Sequence, residues 1–234
     1  MRHIDFYKDI VLTSQKTTGS PGGGDAYKTK YEMMLNSVLS GGESFTLDDD
    51  AITSVRNSAF SVCDALTSVR LMKCTQTEQS AFSYCANLTS VEMPVCSTLG
   101  GYTFSGCGAL TDVKLPKLTA LKGGDFGSCT SLKKLVLQAC TTLDVYPFET
   151  DSNIEVLDVL GGVTGSFGCD MGVCRACKAV IIRATDGVTP LTGFFPFDTV
   201  SIYVPDALVE AYKSATNWSN VATQIKPLST YKEV

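Results

Sequence analysis

The sequence predicts a β-solenoid: a stack of coils of about 22 residues whose strands form a parallel sheet, with few helices and a helical cap at each end. Three observations predict it. Phe60, Phe82, Phe104, Phe126 and Phe148 recur at a constant interval of about 22 residues. Each is followed by an apolar–polar–apolar run: Val69/Leu71, Val91/Met93, Val113/Leu115, Leu135/Leu137 and Leu157/Val159. That alternation is the period of a strand with one buried face. Between these runs the apolar residues keep register, with Cys63, Cys85, Cys107 and Cys129 in one column, Leu66, Leu88, Leu110, Leu132 and Ile154 in a second, and Ile52, Cys74, Cys96, Leu118 and Cys140 in a third. One unit cannot bury its own column, so neighbouring coils must supply the rest of the core.

Taken in order, residues 1–24 are a separate N-terminal segment ending in a Gly-rich linker, Thr17 to Asp25. Residues 25–44 read as a helical cap. Asp25 starts a helix from Ala26 to about Ser40, with Tyr27, Tyr31, Met34, Leu35, Val38 and Leu39 on one face. Solenoids need such covers over their open ends. An oligomerisation or anchoring role is the other reading of this region. Residues 45–204 form the solenoid. Its remaining positions are rich in Ser, Thr and Gly and suit short turns. The fifth residue before each Phe is apolar (Val55, Leu99, Leu121, Leu143), with Thr77 the exception. Beyond Phe148 the repeat loosens. One further copy uses Met171, Cys174, Cys177, Val180 and Ile182, and another Leu191, Phe194, Phe197, Val200 and Ile202. Val200 to Val204 reads as the last strand. Residues 205–234 form the C-terminal helical cap, in which Asp206 caps a helix carrying Leu208, Val209 and Tyr212, and Trp218 leads a second turn.

The unit AFSYCANLTSVEMP, Ala81 to Pro94, resembles the BspA-like bacterial leucine-rich repeat, and the resemblance extends from Ala51 to about Val204. Pro94 and Pro116 stand where that family closes its strand. The resemblance implies a leucine-rich-repeat solenoid, curved and used for binding, often in surface or adhesin proteins, with no catalytic residues. The tail from Ile202 to Leu228 is similar to endings of gut-bacterial and prophage proteins with these repeats.

Composition narrows the function. The formal net charge is −5 and no basic run exists, which excludes nucleic acid and anionic lipid as partners. No apolar run approaches the roughly 18 residues of a membrane span. MRHIDFYKDIVL is not a signal peptide, because Asp5, Lys8 and Asp9 interrupt its apolar stretch. The ten cysteines read as buried free thiols rather than disulfides, since most fill columns that Ile, Leu or Val fill elsewhere. Cys169, Cys174 and Cys177 have the spacing that opens a plant-type iron–sulfur motif, but no fourth cysteine follows. His3 is the sole histidine, so a zinc site lacks a ligand and a Ser-His or Cys-His pair lacks its base. Asp48, Asp49 and Asp50 are adjacent rather than spread over a calcium loop. The expectation is therefore no catalytic residue, no metal and no cofactor.

What remains is surface. Outward strand positions form a ladder of Arg70, Glu92, Lys114, Val136, Asp158, Ile181 and Ser201, flanked by Asp112, Lys134, Val156 and Arg183. Its alternating charges fit either cross-strand pairing or a mixed polar binding face. It holds no aromatic stripe, so no sugar-stacking platform is expected on it. With the resemblance, these features point first to a phage virion-associated protein facing a host surface, with residues 1–45 joining other virion proteins or a second copy. The alternative is a bacterial adhesin or protein-interaction module at the cell surface or in the cytoplasm. The partner is a protein or a cell-surface glycan or protein receptor.

Overall fold

The computed structural model describes residues 45–50, 52–137, 139–143, 148, 153–159, 176–188 and 199–232. The N-terminal segment, the helix expected over 26–40, Cys169, Cys174 and the copy built on Leu191, Phe194 and Phe197 lie outside the described residues.

The chain winds as a parallel β-solenoid of about 7 turns. One side carries the longer strands, which fall into two successive parallel sheets. The first is β1 (Phe45–Asp48), β3 (Leu66–Arg70), β5 (Ser90–Glu92) and β6 (Asp112–Lys114). The second is β8 (Lys134–Leu137), β10 (Val156–Val159), β11 (Ala179–Ile182), β12 (Ser201–Val204) and β13 (Ile225–Pro227). A second side is a ladder of short strands: β2 (Ser54–Val55) with β4 (Gln76–Thr77), and β7 (Ala120–Leu121) with β9 (Thr142–Leu143), linked through bridges at Thr98. The third side is a tight turn around each Phe. Phe60 N–H donates to Ala81, Phe82 N–H to Thr103 and Phe104 N–H to Asp125, so this side too is stitched coil to coil by backbone hydrogen bonds.

The three predicted apolar columns fill the interior, and the residues quoted for each are buried from Ile52 to Ile154. The phenylalanine rings stack face to face, with centroids 5.4 Å apart for Phe60–Phe82 and 5.6 Å for both Phe82–Phe104 and Phe104–Phe126. Offset rings at such distances add about 0.5–1.5 kcal/mol per pair beyond their buried area. The cysteines beside them are core fillers whose thiols also make polar contacts. The thiols of Cys85, Cys107 and Cys129 donate to the carbonyls of Phe60, Phe82 and Phe104 at 3.0, 3.1 and 3.2 Å. A leucine would fill the space but leave that carbonyl one donor short. Outside, hydroxyls repeat the device. Thr75, Ser97, Thr119 and Thr141 each donate to the carbonyl of the residue one coil earlier, at 2.9–3.4 Å. This is why the outer columns are Ser and Thr.

Two expectations about the C-terminal region are corrected. Val200–Val204 is not the last strand, because β13 pairs in parallel with β12, Ile202 opposite Ile225. Between them run a 3₁₀ turn at Asp206–Leu208, helix α1 (Val209–Ser214) and a 3₁₀ segment over Trp218–Gln224. Residues 205–227 therefore form one more coil, with a helix in place of the tight turn. Tyr212 and Trp218 are fully buried in it, ring edge to ring face at 5.2 Å. Asp206 does not cap its own helix. Its carboxylate instead accepts the Ser229 N–H at 3.0 Å, and the Ser229 hydroxyl, with that N–H, holds it below the usual carboxylate range.

Candidate binding face

Parallel pairing in register places side chains of the same strand position in a row, about 4.8 Å per coil. On the first long-strand sheet the row is Asp48, Arg70, Glu92 and Lys114. Arg70 lies between two acids, with Nη1 3.3 Å from Asp48 and Nε 3.5 Å from Glu92. Lys114 turns to Asp112 of its own strand at 3.3 Å. These side chains are 40 to 59% exposed. Exposed pairs of this kind contribute about 0–1 kcal/mol each. The row is a rigid, charge-balanced surface that adds little to stability.

The second sheet continues the row as Val136, Asp158, Ile181 and Tyr203. Here the sequence expectation needs correcting at three residues. Asp158 and Ile181, expected to point to solvent, are buried at 3% and 0% exposure. Arg183 forks onto Asp158, Nε to Oδ1 at 2.9 Å and Nη2 to Oδ2 at 3.0 Å. Val136 and Ile181, apolar residues in an otherwise charged row, were the sequence signal that this half is covered. Ser201 also sits elsewhere: it pairs with Ala179, in the flanking row with Lys134 and Val156, and its hydroxyl accepts from Lys226 Nζ at 2.8 Å. Val200, Ile202 and Val204 are all buried, and reading the inward pair as Val200/Ile202 instead of Ile202/Val204 shifted the register.

The residue that takes the row position, Tyr203, was missed. Lys226 lies 5.9 Å above its ring, and Tyr231 meets it edge-on at 5.0 Å. A further row was missed as well, in which Glu155 is held between Lys133 and Lys178. The Lys178 hydrogen bond, then Lys133, keeps the Glu155 carboxyl below its ordinary range.

Cys63, Cys74, Cys85, Cys96, Cys107, Cys129, Cys140 and Cys177 are free and buried. Burial, with Cys85 beside it, pushes the Cys63 thiol up to about 11, and burial pushes Cys129 up to about 12. Thiolate, not thiol, reacts. Thiol reagent at neutral pH is therefore expected to leave Cys63 and Cys129 unlabelled in the folded protein, and burial shields the other six from it. Denaturation without reductant is expected to release nearly all ten cysteines of the chain. Recovery of only a few would mean disulfides. Among the described residues no group of three or more His, Cys, Asp or Glu is placed to hold a metal ion. No helix among them is long and apolar enough to cross a membrane.

Parallel coils of about 22 residues, buried Phe, Leu and Cys columns and a mixed-charge strand face define a leucine-rich-repeat solenoid. Residues 40–155 match, in 6 copies, the family described as the BspA type leucine rich repeat region, and these repeats belong to that family. Leucine-rich-repeat proteins of this kind are typically non-enzymatic binding modules. Two solved structures are similar. Pneumococcal vaccine antigen PcpA matches 80% of this chain and 55% of its own, at 14% identity and a TM-score of 0.50. A leucine rich cell surface protein from Faecalibacterium prausnitzii A2-165 matches 82% of this chain and 60% of its own, at 16% identity and a TM-score of 0.36. The chain thus spans little more than half the length of these proteins. Likeness at such identity shows the fold alone. A comparison with curated proteins gives no match.

Proposed function

We propose that this protein is a non-enzymatic recognition module of the bacterial surface-protein type, holding a protein partner on the exposed half of its long-strand face. The observation that carries this is the row Asp48, Arg70, Glu92 and Lys114. It is rigid in backbone and half exposed, and its exposed pairs are worth little to stability. Lys134, in the flanking row of the second sheet, extends the candidate surface. Asp158 and Ile181 are its buried margin, Val136 and Arg183 lie partly exposed beside them, and Ser201 and Tyr203 form its far end. The two similar solved structures come from bacteria, and one of them is described as a cell surface protein. Both agree with an adhesin or protein-interaction role. Nothing in the comparisons indicates a phage particle, so the virion placement expected from the linker and tail ranks below the cell-surface one.

The test is adhesion. Fluorescently labelled protein is expected to bind intact epithelial or bacterial cells in flow cytometry. Arg70→Glu combined with Lys114→Glu should cut binding roughly ten-fold, about 1.4 kcal/mol, with little change in melting temperature. Undiminished binding by the double variant would remove this face from the role.

A further inference from the structure

Each coil from Phe60 to Phe126 bends at two left-handed positions, two residues before and two after its phenylalanine. Before it stand Ser58, Ser80, Tyr102 and Gly124, at φ 54°, 57°, 52° and 68°. After it stand Val62, Tyr84, Gly106 and Ser128, at φ 60°, 58°, 76° and 54°. Glycine suits such positions because it has no Cβ to clash with the backbone. Here two of the eight are tyrosines and one is a β-branched valine. Both tyrosines are matched to a glycine in the next coil. A Cβ on Gly106 would come 2.5 Å from Tyr84 Cδ1, and one on Gly124 would come 2.4 Å from Tyr102 Cδ1. Each ring therefore lies across space that a side chain of the next coil would otherwise fill.

Core burial does not account for them. Tyr84 is 61% exposed, Tyr102 39% and Val62 65%. Strained backbone at exposed aromatic residues is a mark of function rather than of packing. We infer that this turn shoulder is a second binding surface, separate from the strand face, on which Tyr84 and Tyr102 stack against a neutral sugar ring of a glycan.

Charge and width select that partner. Residues 58–62, 80–84, 102–106 and 124–128 contain a single charged side chain, Asp125, and it is fully buried. These turns themselves thus present no exposed charge to a sulfated or sialylated chain, to a phosphate or to an ionic protein epitope. The polar rim of the shoulder is hydroxyl, with Ser58 exposed and Ser61, Ser80 and Ser128 partly so, Ser61 hydrogen-bonded at 2.8 Å to the buried Ser83 beneath it. A standard protein interface covers about 800 Å² per partner, more than a strip of two rings and one valine supplies. An uncharged pyranose, with its C–H face on a ring and hydroxyls at the rim, fits both features. The expectation of no sugar-stacking platform was made for the strand ladder. The rings are on the turn side.

Saturation-transfer NMR and calorimetry with uncharged hexasaccharides of glucose, galactose and mannose test this. At least one is expected to bind with a Kd of about 1 mM or tighter. Tyr84→Ala with Tyr102→Ala should weaken it roughly ten-fold or more, whereas Arg70→Glu with Lys114→Glu should leave it unchanged. Tyr84→Gly, which relieves the left-handed backbone, is expected to weaken sugar binding while keeping or raising the melting temperature. That separates lost contact from lost fold. Absence of binding to all three sugars overturns the inference. So does binding that survives the double tyrosine variant, or that depends on the strand-face charges. Failure of the adhesion experiment leaves this result standing, because the two faces carry different variants.

Discussion

Replacing Phe104 by alanine is expected to destabilise the protein by about 3–5 kcal/mol, the usual cost of emptying a buried aromatic site. Phe104 is fully buried and is stacked on both sides, 5.6 Å from Phe82 and 5.6 Å from Phe126. Its backbone is held independently, N–H to Asp125 and carbonyl from the Cys129 thiol. The coil therefore cannot collapse into the space left, and the cavity persists. Against a total stability of about 5–15 kcal/mol, such a loss is a large fraction. Because each coil contacts only its neighbours, a hole in the middle weakens two interfaces at once. Phe60→Ala should cost less, since Phe60 is slightly exposed and stacks on Phe82 at the start of the row. Lys114→Ala should cost less than about 0.5 kcal/mol, its ammonium lying on an exposed pair. Urea denaturation of the three variants reads all of this. Equal losses for Lys114→Ala and Phe104→Ala would mean that the strand register is wrong.

The core was legible in the sequence because a solenoid repeats its geometry. Phe, Leu and Cys at fixed offsets must point the same way in every coil, so counting residues was enough to place them. Counting failed where a residue's environment is set by something other than its own coil. Asp158 sits in an outward strand position and pairs in register with Val136, yet Arg183 from beyond the next strand folds onto it. Ser201 was misplaced because three inward residues in a row, Val200, Ile202 and Val204, allow two registers, and only the pairing with β11 selects one. Tyr84 and Tyr102 passed as unremarked turn residues because their signal is not periodic. It lies in the glycine that follows each of them by one coil, and a left-handed backbone is not visible in residue type.

Thr77, the polar exception in an apolar column, has its explanation one coil away and leads to the second large effect. The residue before each phenylalanine is Ala59, Ala81, Thr103 and then Asp125, and all four are buried. Once the column departs from alanine, its polar atoms need partners inside the core. Thr103 supplies one to Thr77, their hydroxyl oxygens lying 3.3 Å apart, and accepts the Gly100 N–H at 3.2 Å. Asp125 accepts the Thr103 N–H at 3.2 Å and the Lys122 N–H at 2.8 Å, tying its own turn to the coil before. Asp125→Ala strips the acceptor from the buried Thr103 N–H and the part-buried Lys122 N–H, at about 1–3 kcal/mol each, and the expected loss is about 2–4 kcal/mol. Its pH dependence has a definite sign. Burial raises the Asp125 carboxyl above its ordinary value, against the pull of the Lys122 and Thr103 N–H groups. The native state then binds the proton more tightly than the unfolded chain. The contribution of Asp125 is therefore greatest below the unfolded carboxyl range near pH 4, declines as pH rises through the raised native value, and is constant above it. The gap in stability between the wild type and Asp125→Ala, followed by denaturation from pH 4 to 7, should narrow as pH rises. A gap that widens over that range would mean that the N–H donors outweigh burial and that the ionised carboxylate is the form the core was built to hold.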